Sequence, residues 1–361
     1  MDGIAPTSSD TLVAQVAALV PAMQARAGLL DRDGAFPSED LKSIAYCGGF
    51  LAPFPVAAGG LGLGTSRAGA DGMLQMLRLL GRGNLSVGRV FEAHVNAVRL
   101  LVRYGTEALV RSAASDAAAG RLFALWVTDP AQDGLRAIDG VLHGGKEFCS
   151  AAGYATRAVV TVDEGAEQPR LMLVDVASAT VTPLPGGLLG MRAAVTGRVR
   201  FDGLRGTPFG TPGDYLREPD LSTGAWRTSA VTLGGLEALA AAARTQLVSR
   251  GRHADPHQQA RMGHVLIAEE TARLWMHAAA TRAEDADSEA AVAYVNLARL
   301  AVERACLESM ELIQRSLGLA AFLHPNPVER LCRDLATYLR QPAGDMVLTE
   351  AAAYAMTPHE P

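Results

Sequence analysis

Three side chains in separate parts of the chain are candidates for chemistry: one histidine and two hydroxyls. His94 falls on an apolar helical face, within Phe91-Glu92-Ala93-His94-Val95-Asn96. An imidazole there can exchange a proton near neutral pH, although a core histidine bonded to backbone fits the pattern as well. Thr128 follows the apolar run 123–127, and Ser150 follows Glu147-Phe148-Cys149. Each hydroxyl can donate a hydrogen bond to a ligand or satisfy the local backbone.

No metal site is expected. His253 and His257 lie four residues apart, but Pro256 breaks the helix that would align them, and no acid or histidine pattern follows to complete a ligand set. The four cysteines lie far apart, without metal-ligand spacing, and a chain of this size needs no disulfides. We expect four reduced, packed thiols, at Cys47, Cys149, Cys306 and Cys332.

Composition excludes several classes of protein. The 361 residues are too many for one typical core, so we expect two or three packed units. A net charge of −5 argues against an unaided nucleic-acid or anionic-membrane binder. The start, Met1 to Pro6, lacks the features of a secretory signal, and we expect no segment that spans a bilayer. These features predict a cytoplasmic protein that binds neither nucleic acid nor membrane.

The elements that must position these side chains change twice along the chain. Residues 1–120 are predicted to be helical, with Ser38 as an N-cap and one helix running from Asn84 to Tyr104 and stopping at Gly105. Residues 121–216 contain short apolar runs separated by Asp-Gly, Gly-Gly and Pro-Gly, which predicts a β-barrel or sandwich.

Residues 217–361 return to a helical composition. The expected helices span 228–252, 258–284, 288–317 and 327–340, and the breaks between them are short, such as Asp285-Ala286-Asp287. Long helices with short connections indicate an antiparallel four-helix bundle. The predicted fold class is therefore mainly α, with a central β domain between two helical domains.

Four motifs in this order resemble those of acyl-CoA dehydrogenases. Trp126-Val127-Thr128-Asp129-Pro130 is similar to the Thr-Glu-Pro segment of that family, and Leu142 to Ser150 is similar to its strand whose last three positions are usually Trp-Ile-Thr. Gly190-Met191-Arg192 resembles a family turn, and Asn326-Pro327 to Gln341 resembles the C-terminal signature. The resemblance covers nearly the whole chain and implies the same three-domain architecture.

The resemblance implies a flavin, FAD with FMN as the shorter alternative, between the β domain and the bundle. A flavin requires hydrogen-bond donors near its ring and a dry pocket. On the β side the matching residues are Trp126, Thr128, Phe148, Cys149 and Ser150. Relatives also hold the adenine end with an arginine and a Gln-x-x-Gly-Gly turn, partly from a neighbouring subunit. Here the corresponding residues are Arg250, Arg315 and Gly318, with one glycine and the glutamine of that turn missing.

The catalytic base of the family is missing. Its glutamate falls at Pro342, and the alternative position early in the first bundle helix, Gly224 to Thr228, holds no carboxylate. Asp345 lies three residues past the expected position, and Glu237 has the simpler interpretation of a surface or interhelical charge. Removal of an α-proton by a general base contributes about 10²–10⁴-fold in rate.

Three functions therefore stay open. The first is a flavin-dependent oxidoreductase of the acyl-CoA dehydrogenase superfamily, whose small-molecule substrate would be a CoA thioester if it desaturates. The second is a flavin monooxygenase of the same superfamily, which needs no glutamate and for which the resemblance implies that His94 and Ser150 are catalytic. The third is a non-catalytic flavin-binding or interaction protein.

The three functions differ in the partners that they require. The glycine-rich Gly59 to Gly64 lacks the spacing of a dinucleotide fingerprint, so a monooxygenase here would need a separate flavin reductase. The resemblance also implies a homodimer or homotetramer.

Overall fold

Five helices form the first part of the chain in the computed structural model, which describes residues 8–284 and 289–357. They are α1 (Ser9–Asp33), α2 (Ser38–Tyr46), α3 (Ala70–Gly83), α4 (Leu85–Tyr104) and α5 (Glu107–Ala118). Asn84 caps α4, because its side chain accepts a hydrogen bond from the N–H of Ser86. The predicted helix from Asn84 to Tyr104 is thus confirmed, with Asn84 as its cap. The predicted cap at Ser38 is wrong by one residue, since Pro37 holds that position.

Short strands form the middle of the chain. They are β1 (Phe123–Trp126), β2 (Arg136–Ile138), β3 (Val141–His143), β4 (Gly145–Cys149), β5 (Arg157–Val162), β6 (Arg170–Asp175), β7 (Thr180–Pro183), β8 (Gly197–Arg200) and β9 (Gly206–Phe209). One sheet has the order β1-β5-β6-β9, a second has the order β4-β8-β7, and β2 and β3 form a hairpin. The pair β1 and β5 is parallel, and the other pairs within these sheets are antiparallel.

Helices return after the strands. They are α6 (Asp220–Thr223), α7 (Ala225–Ser249), α8 (Pro256–Glu284), α9 (Glu289–Leu317), α10 (Pro327–Tyr338) and α11 (Gly344–Met356). The whole of α11 lies beyond residue 340, where the last helix predicted from sequence ends. The predicted break at Asp285-Ala286-Asp287 lies outside the described residues.

Helix α1 qualifies as a membrane span by length and composition, which contradicts the expectation that no segment would do so. Its buried residues fall mainly on one stripe, at Leu12, Val16, Val20, Met23 and Ala27. A stripe of this spacing is typical of a helix that packs one face against a core. The helix packs against α3, which accounts for the apolar composition of that face.

The N-terminal helices pack closely against the bundle. A Cβ at Gly234 of α7 would lie 1.9 Å from the carbonyl oxygen of Arg78, and one at Gly81 of α3 would lie 2.1 Å from that of Val231. Only glycine permits this approach of backbone to backbone. Arg78 also forms an ion pair of 2.5 Å with Glu237. This confirms the interpretation of Glu237 as an interhelical charge, and the side chain is 7% exposed.

Helix α10 connects the bundle to both other parts of the chain. Arg333 binds Asp31 at the end of α1 at 2.7 Å and donates to the carbonyl of Leu189 at 2.8 Å. Asp334 accepts a hydrogen bond of 2.6 Å from the N–H of Met191, a residue in the left-handed region with φ of 57°. A Cβ at Gly190 would lie 2.2 Å from the carbonyl oxygen of Arg333, so that position requires glycine.

Asp334 should make stability depend on pH. Burial raises the pKa of its carboxyl to about 6, against opposing effects of Arg330 and the Met191 N–H. An unfolded aspartate has a pKa of about 4. The folded state therefore holds this proton more tightly, so the stabilising contribution is complete below about pH 4 and is lost as pH rises through about 6.

Asp334→Asn should remove this dependence while it keeps an acceptor for Met191. Between pH 4 and pH 7 the wild type should lose about 3 kcal/mol of unfolding free energy relative to the variant. Urea denaturation at both pH values measures the difference. If wild type and variant differ by the same unfolding free energy at both pH values, the raised pKa of Asp334 is contradicted.

Candidate functional site

A β-bulge in β4 exposes an aromatic ring. The pairing of β4 with β8 shifts register between Lys146 and Cys149, and Phe148 within the bulge has φ of 56°. Phe148 is consequently 53% exposed, whereas Lys146 is 1% exposed and Cys149 is fully buried. Bulges of this kind redirect side chains and occur frequently beside binding sites. The ring of Phe148 is therefore available to a flat ligand.

Ser150 lies directly after this bulge. Its hydroxyl oxygen is 3.5 Å from that of Thr196, the limit of a hydrogen bond, so it keeps capacity for another partner. The indole N–H of Trp126 donates to the carbonyl of Ser150 at 2.9 Å. Trp126 itself is 3% exposed and packs edge-on against Phe201. Trp126 is thus placed to fix the Ser150 backbone from within the core.

Thr128 lies beside the same strand. Its carbonyl accepts a hydrogen bond of 2.9 Å from the N–H of Glu147, and its side chain is exposed. The structure therefore brings Thr128, Phe148 and Ser150 to neighbouring segments of the β domain. Cys149 is adjacent in sequence, but burial raises the pKa of its thiol and keeps it inside the core.

The residues expected at the adenine end lie at one end of the bundle. Arg250 ends α7, is exposed and donates to the side chain of Gln246 at 3.0 Å. Asn326 bonds both to Gln246 and to the carbonyl of Ala320, in the turn that begins at Gly318. These contacts place Arg250 and Gly318 at the same end of the bundle.

Arg315 is exposed and lies 3.6 Å from Glu311 on the same helix, α9. This contact is consistent with a solvated helix face. The expected homodimer or homotetramer stays a prediction.

His94 does not face solvent. It is fully buried among Phe50, Phe91 and Phe123. Its Nε2 lies 2.8 Å from the carbonyl of Phe50, and its Nδ1 accepts from the N–H of Phe123 at 3.1 Å. Burial lowers the pKa of His94 to about 4. The structure corrects the expectation of a substrate-facing histidine and supports the alternative, a core histidine bonded to backbone.

A buried carboxylate, Glu92, was missed from sequence. It is 2% exposed and accepts hydrogen bonds from Arg89 at 2.6 Å, from Thr228 at 3.0 Å and from Asn96. Thr228 belongs to the first turn of α7, which carries no carboxylate of its own. Helix α4 thus supplies the carboxylate that this turn lacks. The sequence signal was the Glu92 and Asn96 pair, four residues apart, which also fits a solvated helix face.

Two further residues complete this group. Arg227 is 2% exposed and donates to Asn96 at 2.5 Å. Tyr338, at the end of α10, is 5% exposed, and burial raises the pKa of its hydroxyl well above the usual value. We call these six residues the buried polar cluster: Arg89, Glu92, Asn96, Arg227, Thr228 and Tyr338.

Position 342 offers little to a reaction. Pro342 is exposed and, like any proline, lacks an N–H. Its carbonyl accepts a hydrogen bond of 2.6 Å from Arg299. Asp345 is exposed in the first turn of α11. Among the described residues no group of three His, Cys, Asp or Glu side chains could hold a metal ion.

Solved structures share this architecture over nearly the whole chain. Glutaryl-coenzyme A dehydrogenase in complex with glutaryl-CoA has a TM-score of 0.84 at 19% identity, covering 99% of this chain and 97% of that one. The chain has the acyl-CoA dehydrogenase fold. The expected architecture, two helical domains around a β domain, is thereby confirmed.

Two flavin complexes have the acyl-CoA dehydrogenase fold as well. KijD3 with FMN and dTDP-3-amino-2,3,6-trideoxy-4-keto-3-methyl-D-glucose has a TM-score of 0.80 at 23% identity, covering 98% of this chain and 95% of that one. TdsC from Paenibacillus sp. A11-2, with FMN and indole, has a TM-score of 0.78 at 16% identity, covering 96% and 97%. No family model and no curated protein matches the sequence. Structural similarity at such low sequence identity establishes the fold. It does not establish which reaction the protein catalyses.

The core role of His94 can be tested with His94→Leu. The substitution leaves the Phe50 carbonyl and the Phe123 N–H without this partner, which should lower the free energy of unfolding by about 2–4 kcal/mol. Urea denaturation measures the loss. The matched control is His264→Gln at an exposed position, where a change within about 0.5 kcal/mol is expected. Unchanged stability of the His94 variant would contradict the core role.

Proposed function

We propose that this protein is a flavin-dependent oxidoreductase that binds its flavin against the bulge of β4. The observation that carries the proposal is the exposed ring of Phe148, with Ser150 and Thr128 on adjacent segments. The exposed ring offers a flat apolar surface, on which the face of a planar ligand can stack. Two structures with this fold contain FMN, which supports a flavin as the covering ligand.

The residues present fit such a group. Phe148 supplies an apolar surface, and the hydroxyls of Ser150 and Thr128 supply donors at its edge. When bound, a flavin supplies an acceptor for hydride or, in reduced form, a centre that reacts with oxygen. The protein's own contribution is to bind and orient the ring and to exclude water from one face.

We infer FAD as the cofactor, with FMN as the alternative. Arg250 and the Gly318 turn share one end of the bundle, and an exposed arginine there suits the second phosphate that distinguishes FAD from FMN. The two flavin complexes with this fold contain FMN, which favours the alternative.

The reaction is constrained by the absence of a free carboxylate at the expected positions. Pro342 has neither a carboxylate nor an N–H, and its carbonyl is bonded to Arg299. Glu92 lies against the first turn of α7, but its oxygens already accept three hydrogen bonds within the buried polar cluster, so this carboxylate is held as part of the structure. These observations favour a second candidate function, a flavin monooxygenase supplied with reduced flavin by a separate reductase. A non-catalytic flavin-binding protein is the remaining alternative.

Phe148→Ala tests the proposed flavin site. Loss of the aromatic contact should raise the dissociation constant for FAD or FMN by about tenfold, since such contacts are worth roughly 0.5–1.5 kcal/mol beyond buried area. Quenching of flavin fluorescence measures binding. Val181→Ala on β7, a partly exposed position in the same domain, is the control and should bind as the wild type does. Equal binding by Phe148→Ala would exclude this surface.

An anaerobic titration of the flavin-loaded protein with acyl-CoA thioesters tests the reaction. Because no free carboxylate stands at position 342, we expect the visible band of oxidised flavin to persist across the panel. Bleaching would instead demonstrate direct dehydrogenation of a thioester. It would contradict a monooxygenase as the favoured function. Bleaching by added dithionite, followed by rapid reoxidation in air, is the control for a competent flavin.

A further inference from the structure

Lysine is rare in this protein, and one of its lysines is buried. The chain has 33 lysines and arginines in total, of which only Lys42 and Lys146 are lysines. Lys42 is exposed, whereas Lys146 is 1% exposed. Lysine is among the residues least often buried, because its charged group loses hydration. A buried lysine in a chain that otherwise uses arginine therefore requires a local reason.

The ammonium of Lys146 has three oxygen partners. Its Nζ lies 2.7 Å from the carboxylate of Asp129, 2.9 Å from the hydroxyl of Thr161 and 3.3 Å from the carbonyl of Val127. An ammonium has three donors, so all of them are used. A planar guanidinium cannot direct its donors to three oxygens around a single point. The geometry of the contacts thus accounts for lysine at this position.

The contacts of Lys146 enclose Thr128. Val127 and Asp129 are its two neighbours in sequence, and both bind the ammonium. The carbonyl of Thr128 is held by the N–H of Glu147, the residue after Lys146. Asp129 also accepts from the N–H of Leu135 at 2.9 Å, which closes the loop that follows. Lys146 and its strand therefore hold the segment at Val127, Thr128 and Asp129, and the Thr161 hydroxyl and the Leu135 N–H add contacts to Val127 and Asp129.

Stability alone does not explain the lysine. Burial lowers the pKa of Lys146, and the ion pair with the half-exposed Asp129 opposes this effect. Buried ion pairs can often be replaced by apolar side chains of similar volume without loss of stability. Methionine would fill the same space, so a positional function fits the observation better than a packing function.

We propose that Lys146 is the positioning residue that sets the Thr128 segment for flavin binding. The ammonium holds the residues on both sides of Thr128, so that this segment stays against β4, the strand that carries Phe148. This inference rests on the proposed flavin site. In this role Lys146 affects the affinity for flavin and the electronic environment of the flavin ring. It does not contact the substrate.

The test compares Lys146→Met, Lys146→Arg and the control Lys42→Met. Lys146→Met should fold with an unchanged circular dichroism spectrum, bind FAD or FMN at least tenfold more weakly and shift the visible band of whatever flavin it binds. Lys146→Arg should not restore binding, because the guanidinium cannot replace the three convergent bonds. Lys42→Met should bind as the wild type does. Wild-type affinity in folded Lys146→Met would overturn the inference.

Two further measurements keep the outcome decisive. If Lys146→Met fails to fold, Thr161→Val removes one of the three acceptors and should weaken flavin binding severalfold, and unchanged binding would overturn the inference. Protein labelled with ¹³Cε-lysine should give two lysine signals, of which only the Lys146 signal, assigned with Lys42→Arg, should shift on adding FMN. Failure of the wild type to bind any flavin would instead overturn the proposed function.

Discussion

Helix α10 fixes the distance between the β domain and the rest of the protein through charged contacts that are shielded from water. Arg333 is paired with Asp31 of α1, and Asp334 holds the N–H of Met191. Met191 precedes β8, and β8 pairs with β4, the strand that carries Phe148. Removing one partner of a buried charged pair costs roughly 3–5 kcal/mol, so this junction resists small displacements. The position of the candidate flavin surface relative to the bundle follows from it.

The buried polar cluster meets α10 one turn beyond this junction. Tyr338 is four residues past Asp334 on α10, and Thr228 links α7 to Glu92 on α4. The cluster contains charges of both signs, and hydrogen bonds join its members other than Tyr338, whose buried hydroxyl has no hydrogen-bond partner among the described residues. It thus keeps N-terminal helices and bundle in one arrangement, and its carboxylate is committed to that structure. A reaction at the candidate flavin surface therefore depends on hydroxyl, amide and cationic groups more than on a free carboxylate.

The bulge in β4 shows how local geometry can reverse the expectation from alternation. In a regular strand Lys146 and Phe148 would point to the same face. Here the lysine is buried and the phenylalanine is exposed. Extra backbone at the bulge changes the face that the next side chain occupies. One irregularity therefore produces both the exposed ring and the buried ammonium.

The sequence by itself determined the fold class and most helices, because periodicity, caps and turn residues are local properties of the chain. Its resemblance to acyl-CoA dehydrogenases indicated the segments around Thr128 and Ser150. The sequence also determined that Pro342 cannot act as a base. Only the tertiary structure decided that His94 is bonded to Phe50 and Phe123, since those partners lie 44 and 29 residues away. The same holds for Glu92, whose partner Thr228 lies 136 residues further along the chain. Contacts over such separations depend on how elements pack, and spacing along the chain does not encode that packing.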